Sequence, residues 1–332
     1  MTIPSDLNQS QSAAIGAVMG ALIGDASGAV LEFWGDKPSS RDVENALMMR
    51  GGGALGVAPG QITDDGELAI ALAETLASES GEYHSESVAR AYIDWAESEP
   101  FDIGHATHSA LRHGLRGAAL STICQREARA INSESKANGA LMRITPLAVA
   151  TAYCSHAETI ALAYQDAELT HPNIACQQAN ASYVLAIRHL IMQPGDATGA
   201  IHAAQRYLEP FHSEVGAWLN DALCGDIPDA TKMIGFVRHG FTRAFHHLVR
   251  GSKLRDALFH TLQAGGDTDT NACIVGGLIG AYWGINEIAS NSSSALMLDA
   301  VMNYDPSIGQ PRPARYHAKK MIDHVSAFTI YR

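Results

Sequence analysis

SAAIGAVMGALIGDASGAVLEF, residues 12–33, is the stretch whose reading decides the fold. Ile15, Val18, Met19, Leu22 and Ile23 recur at helical spacing and Ser12 is the expected N-cap, so a first helix is expected from Ser12 to about Phe33. Gly16, Gly20, Gly24 and Gly28 fall every fourth residue and line one face of that helix. Each costs up to about 1 kcal/mol against alanine, so the pattern requires another backbone to pack unusually close. The apolar run from Ala13 to Gly24 stops at Asp25, short of the roughly 20 residues that span a bilayer, and is read as a buried helix.

Asp25 interrupts this apolar run, where an unpaired charge is expensive. A satisfied buried hydrogen bond and a functional role both account for it. Glu32 follows seven residues later, nearly two turns on, which places both acids on one helical face. Glu32 is either exposed near the helix end or part of the same site.

Outward from this helix, the 332-residue chain is 46% apolar and only 17% charged, enough for a sizeable buried core. Abundant alanine and glycine with few aromatic residues favour closely packed helices over sheet. A glycine and proline cluster from Gly51 to Gly60 reads as a loop leading to Thr63, after which LAIALAETLAS is strongly helical. Further helices are expected at about 86–97, 105–118, 140–153, 156–168, 174–192, 197–208, 213–223, 236–250, 253–263, 269–283 and 313–325. No alternating segment suggests a strand, and no repeat or compositional shift marks a linker. The expectation is a single compact all-α domain over residues 1–332, with residues 1–11 as a flexible tail.

Lys and Arg total 23 against 35 Asp and Glu, a formal net charge of −12 without a basic run, which argues against nucleic-acid or anionic-membrane partners. The five cysteines are odd in number, widely spaced and never in C-x-x-C, so neither a disulfide framework nor a zinc ribbon is expected. The segment MTIPSDLNQSQ lacks signal-peptide character, and a cytoplasmic monomer is expected.

The chemistry concentrates in two segments, Ile62-Thr63-Asp64-Asp65-Gly66-Glu67 and Gly265-Gly266-Asp267-Thr268-Asp269-Thr270-Asn271, each at the mouth of an apolar helix. Capping is one explanation, since Asp and Thr favour first turns and Asp64 to Glu67 has capping-box spacing. Capping needs one side chain per helix, however, whereas these segments crowd carboxylates with the hydroxyls of Thr63, Thr268 and Thr270. Such carboxylates repel one another unless a cation neutralises them, and hard oxygen ligands suit Mg²⁺, Mn²⁺ or Ca²⁺. If the segments converge, two ions a few ångströms apart fit there.

Together these residues resemble the ADP-ribosylglycohydrolase family. Its N-terminal helix pattern G-x-x-x-G-D-x-x-G-x-x-x-E is matched by Gly20, Gly24, Asp25, Gly28 and Glu32. Its T-D-D segment is matched at Thr63 to Asp65, N-G-x-x-M-R at Asn138 to Arg143, T-H-P at Thr170 to Pro172, and G-G-D-T-D-T at Gly265 to Thr270, followed by Gly276, Gly277 and Gly280. The resemblance implies an all-α fold around a central dinuclear cleft holding two Mg²⁺ or Mn²⁺ ions. It makes Thr63, Asp64, Asp65, Asp267, Asp269 and Thr270 metal ligands and Glu32 a metal-linked carboxylate that also acts on substrate. The loop before Arg143 would wrap a diphosphate, with Asn138 and Gly139 matching well and Ser135 and Lys136 by position only, and His171 would reach the ribose or phosphate. Arg143 suits a phosphate contact or a structural ion pair.

The implied activity is release of ADP-ribose from a modified acceptor, with Glu32, Asp64 and Asp65 as candidate acid/base residues. Breaking the bond at the ribose anomeric carbon develops oxocarbenium character, which a carboxylate or an activated water can exploit. An ADP-ribosylated protein is the implied substrate, arginine the first-ranked acceptor by analogy, and a cognate ADP-ribosyltransferase a further partner. Serine, nucleic-acid or small-molecule adducts remain alternatives, as does a non-catalytic ADP-ribose-binding or transferase-inhibiting protein. Residues 36–60 and 99–136 are expected to read the acceptor. His105, His108 and His113 are expected as surface or capping residues, and Phe236, Phe241 and Phe245 near His239, His246 and His247 as core.

Overall fold

The computed structural model describes residues 7–111, 116–117 and 119–329. Sixteen α-helices lie among the described residues: α1 (Gln9–Gly28), α2 (Ser40–Leu47), α3 (Asp64–Ser78), α4 (Ser85–Glu97), α5 (His105–Ala110), α6 (Leu120–Asn132), α7 (Thr145–Ala150), α8 (His156–Glu168), α9 (Ile174–Met192), α10 (Ala197–Leu208), α11 (Glu214–Cys224), α12 (Val237–Val249), α13 (Leu254–Gln263), α14 (Thr268–Ser290), α15 (Ser292–Met302) and α16 (Lys320–Thr329). Strand-like pairing among them is limited to isolated bridges, Gly52 with Val57 and Ala137 with Phe236. The all-α expectation holds.

Packing is organised by α1 and α14, which run antiparallel with their backbones in direct contact. A Cβ placed on Gly16, Gly20 or Gly24 would fall 2.3, 2.3 or 2.0 Å from the carbonyl oxygens of Gly280, Gly276 and Ala272, and one on Gly28 would fall 2.4 Å from Asp269 Cα. The glycines of α14 reciprocate, Gly276 and Gly280 lying against the carbonyls of Gly20 and Gly16 at 2.1 Å by the same measure. The four-residue glycine spacing thus has the use the sequence suggested, and the surrounding Ile15, Met19, Leu22, Ile23, Ile274 and Leu278 are buried.

Several boundaries differ from expectation. Residues 9–11 are helix and not tail, because Asn8 and Gln11 form a capping box. Ser12 serves another helix: its hydroxyl accepts the backbone N–H of Asn286 at 3.1 Å, next to Gly284, whose φ of 74° breaks α14. The expected end of that helix at 283 therefore coincides with a kink, beyond which helix resumes. α1 ends at Gly28, so Glu32 reaches its position through a turn and not along a helical face. α2, α6 and α15 lie in stretches read as irregular or left unassigned, and His113 lies outside the described residues. α14 is long and apolar enough to cross a membrane by length and composition, yet 72% of its most apolar window is buried inside the fold.

Replacing Gly20 by leucine should force α1 and α14 apart. Chemical denaturation should show a loss of roughly 3 kcal/mol or more, the upper end of overpacking costs. Gly104→Ala, with no atom within 4 Å of the added carbon, should unfold within about 0.5 kcal/mol of the parent. Equal midpoints for the two variants would contradict this account of the interface.

Candidate metal centre and active cleft

The antiparallel register sets the C-terminal end of α1 beside the start of α14, and α3 begins at the same place. Asp25, fully buried, accepts hydrogen bonds from the backbone N–H of Thr63 at 3.0 Å and Gly66 at 2.9 Å and from the Thr63 hydroxyl at 2.9 Å. It thereby satisfies the otherwise orphan amides of α3 from another helix. Glu32 does the same for α14, accepting from the backbone N–H of Thr268 at 2.9 Å and its hydroxyl at 3.1 Å. The capping-box alternative for Asp64 and Glu67 fails, since Thr63 is the N-cap and the Glu67 carboxylate turns to Arg312 and Trp95.

Two groups of acids meet here. One carboxylate oxygen each from Asp25, Asp65 and Asp269 lies within 4.8 Å of the others, and the same is true of Glu32, Asp267 and Asp269. Asp269 belongs to both. The hydroxyls of Thr63 and Thr270 point to Asp65 Oδ2 at 3.2 and 3.3 Å, while Asp65 Oδ1 is buried without a hydrogen-bond partner. An orphaned carboxylate oxygen in a fully buried acid is the coordination a cation would complete. The starts of α3 and α14 contribute only partial positive charge through their dipoles.

These acids border a cleft of about 530 Å³ lined by Glu32, Asp64, Asp102, Asp267, Asp269 and Thr270 on one side and by Ser135, Asn138, Gly139 and His171 on the other. Among the described residues no lysine or arginine lines it. Burial, reinforced by the neighbouring carboxylates, raises Asp25 and Glu32 to about 7 and Asp102 to about 6, and lifts Asp64, Asp65 and Asp269 well above the usual carboxylate range. A larger depression of about 720 Å³ between α10 and α11 contains none of the motif residues.

On the opposite wall, Asn138 donates to Asp267 Oδ2 at 2.7 Å and its backbone N–H to Gly235 O at 3.0 Å, tying the 135–139 loop to the acids and to the start of α12. Gly139 leaves room for His171, whose ring carbon would lie 2.9 Å from an added Cβ. Burial, with the nearby charge of Arg143, pushes His171 down to about 3, so it is a neutral imidazole held by the Thr170 hydroxyl at 2.8 Å. Arg143 is the structural ion pair: fully buried, it bonds Asp166 at 3.1 Å and Thr170 Oγ1 at 2.9 Å and lies over the Tyr92 ring.

Lys136 departs from its expected place. Its side chain pairs with Glu214 at 2.7 Å outside the cleft, and only its carbonyl, accepting the Val237 N–H, helps hold the loop. Segment 99–136 does border the cleft, through Asp102 to Thr107, Ile131, Asn132 and Ser135, whereas segment 36–60 contributes no lining residue. Sequence reading missed Asp102, which carries no motif, and Ile234 and Gly235, which the fold folds over the cleft. His105 reaches the cleft edge, His239 is bound to the Lys232 carbonyl at 2.7 Å, and Phe241 and Phe245 are core.

An all-α fold that gathers buried acids from three helix ends around a cleft has the donor set to hold a cation. The profile of the ADP-ribosylglycohydrolase family matches residues 6–305, and the chain belongs to that family. It is 28% identical over 292 residues to the ADP-ribosyl-[dinitrogen reductase] glycohydrolase of Rhodospirillum rubrum, covering 85% of this chain and 90% of that one. It is 28% identical over 291 residues to an ADP-ribosylarginine hydrolase of Pseudomonas putida, covering 84% and 72%. A solved structure described as an ADP-ribosylglycohydrolase-related protein complex shares the fold, with a TM-score of 0.70 at 24% identity and coverage of 98% and 99%. The chain is therefore an ADP-ribosyl glycohydrolase by family.

Beyond the matched residues, Arg312 braces the site. Its guanidinium grips Glu67 at 2.8–3.0 Å, one turn after Asp64, and the carbonyl and hydroxyl of Ser98 at 2.8 and 2.7 Å, just before Asp102. Arg312→Met should leave the buried Glu67 unpaired and cost about 3–5 kcal/mol in denaturant unfolding, a loss Arg312→Lys should partly restore.

The raised carboxylates also fix a pH dependence. Their folded values lie above the ordinary 3.8 and 4.5, so between about pH 4 and 7 the cation-free folded chain binds more protons than the unfolded one. Their contribution to stability is full below that window and lost as pH rises through it. In EDTA, the melting temperature should fall from about pH 5.5 to about pH 8, and Mg²⁺ should restore more at the higher pH. A cation-free melting temperature that rises over that interval would refute the arrangement.

Proposed function

We propose that this chain hydrolyses the N-glycosidic bond between ADP-ribose and an arginine side chain of a modified protein, using two Mg²⁺ or Mn²⁺ ions. The observation that carries the reading is a cleft lined by Glu32, Asp64, Asp102, Asp267 and Asp269, with no lysine or arginine among the described residues that line it. Two acid groups sharing Asp269 suit two hard cations, and the remaining Asp102, half-buried at the cleft, suits a cationic acceptor such as a guanidinium.

When bound, such cations supply Lewis acidity and charge neutralisation at the ribose end of the substrate. Asp25, Asp65 and Asp269 would hold one, and Glu32, Asp267 and Asp269 the other, with Thr63 and Thr270 orienting Asp65. Glu32 and Asp64 border the cleft and are the candidates to take or give the proton as the anomeric bond breaks; Asp65 is too enclosed to reach substrate and keeps a ligand role. The Ser135 to Gly139 loop offers backbone and amide groups to the diphosphate, and neutral His171 can hydrogen-bond the ribose or phosphate without adding charge. The curated relatives that act on ADP-ribosylarginine and on ADP-ribosyl-dinitrogen reductase support an ADP-ribosylated protein as substrate, placed there by a cognate transferase.

The test is release of free ADP-ribose from arginine-ADP-ribosylated protein with Mg²⁺, with Mn²⁺ and with EDTA. Release should require the cation, fall by about 10²–10⁴-fold in Glu32→Gln and vanish in Asp267→Ala/Asp269→Ala. Asp102→Ala should raise KM for the arginine adduct. Release from serine or nucleic-acid adducts but not from arginine would reassign the acceptor, and no release from any of them would remove the hydrolase reading.

A further inference from the structure

A second concavity, of about 560 Å³, lies where the end of α12 meets α13, lined by Arg243, His246, His247, Arg250, Ser252, Asp256 and His260 with Ile227 and Ala264. Its charge is opposite to that of the chain. Two guanidinium and three imidazole groups face a single carboxylate, in a protein of net charge −12. Among the described residues none of these five basic groups is ion-paired with a carboxylate. Arg243 is 5% exposed, and its guanidinium donates only to the carbonyls of Pro228 at 2.8 Å and His239 at 3.3 Å. A buried guanidinium hydrogen-bonded to carbonyls keeps its charge, and Asp229 offsets part of it through space.

The imidazoles are arranged and not merely nearby. His247 is buried with Nδ1 on the Ser252 hydroxyl at 3.1 Å, and its ring stacks on that of His260 at 6.3 Å and 13°. His246 is fixed through Nδ1 to the Ala222 carbonyl at 3.1 Å. Burial, reinforced by His246, His260, Arg243 and Arg250, pushes His247 down to about 3, so its imidazole is neutral there and offers hydrogen bonding beside the two guanidinium charges. Crowding like charges in a concavity focuses a positive field there, and guanidinium forks beside imidazole and hydroxyl donors match the oxygens of phosphate.

We propose that this concavity is a binding site for a small phosphate-bearing anion, separate from the acidic cleft. Its volume falls in the range of small-ligand pockets, so a diphosphate or phosphorylated small molecule fits better than a bare monatomic anion. The chain's overall negative charge disfavours a nucleic-acid strand at the same place. The site stands independently of the hydrolase reading, because none of its residues borders the acidic cleft.

Inorganic pyrophosphate is the probe, titrated calorimetrically into the full chain in EDTA, where the acidic cleft repels it. The expected result is one site per chain with a dissociation constant below about 1 mM at moderate ionic strength. Arg250→Glu, at an exposed position, should weaken binding at least about tenfold, and Arg243→Met likewise where circular dichroism shows it folded. His260→Ala gives a second exposed variant of the same wall. Arg41→Glu, which changes net charge equally but lies outside the concavity, should bind as the parent does. Absence of binding, binding untouched by Arg250→Glu and His260→Ala, or binding lost equally to chloride at the same ionic strength would each overturn the proposal.

Discussion

The backbone contact between α1 and α14 is the constraint on which the rest of the molecule depends. Side chains normally hold packed helices 8–10 Å apart, and only their absence on facing positions lets carbonyls of one helix meet the Cα atoms of the other. Because that contact runs from Gly16 to Gly28 on one helix and from Gly280 to Asp269 on the other, it permits a single register. The register then places Asp25 against the first turn of α14, and the turn that follows Gly28 brings Glu32 to the same place.

The acids gathered there are costly to the fold. Asp25, Asp64, Asp65 and Asp269 are all buried, and among the described residues no lysine or arginine lines the adjoining cleft to neutralise them. Hydrogen bonds from the opening amides of α3 and α14 offset part of the cost, as do the hydroxyls of Thr63, Thr268 and Thr270. The rest is left as mutual repulsion, which a bound cation would relieve. Sites shaped for function commonly carry such local instability, compensated by packing elsewhere.

That compensation is visible in the buried ion pairs that flank the cleft. Arg143 ties the 139–143 turn to Asp166 and Thr170 and so fixes His171, while Arg312 clamps the first turns of α3 to the chain that carries Asp102. Neither arginine borders the cleft. Both hold loops whose own short-range contacts leave several conformations open, and a buried guanidinium with a full set of acceptors selects one.

Much of this was legible in the sequence. The four-residue glycine spacing and the apolar period dictated a closely packed helix, the crowding of acids at Thr63 to Asp65 and Asp267 to Thr270 dictated a cation-seeking cluster, and the motif order identified the family. These features are local, carried by residues within a few turns of one another, and so survive without coordinates. What only the tertiary structure decided are the relations between distant segments: Asp25 serving α3 and not its own helix, Ser12 capping the break at Gly284, Lys136 turned away to Glu214, and Asp102 and Ile234 brought to the cleft from stretches without a motif. Where a side chain ends is set by which backbone packs across from it, and that choice is made by the whole core at once.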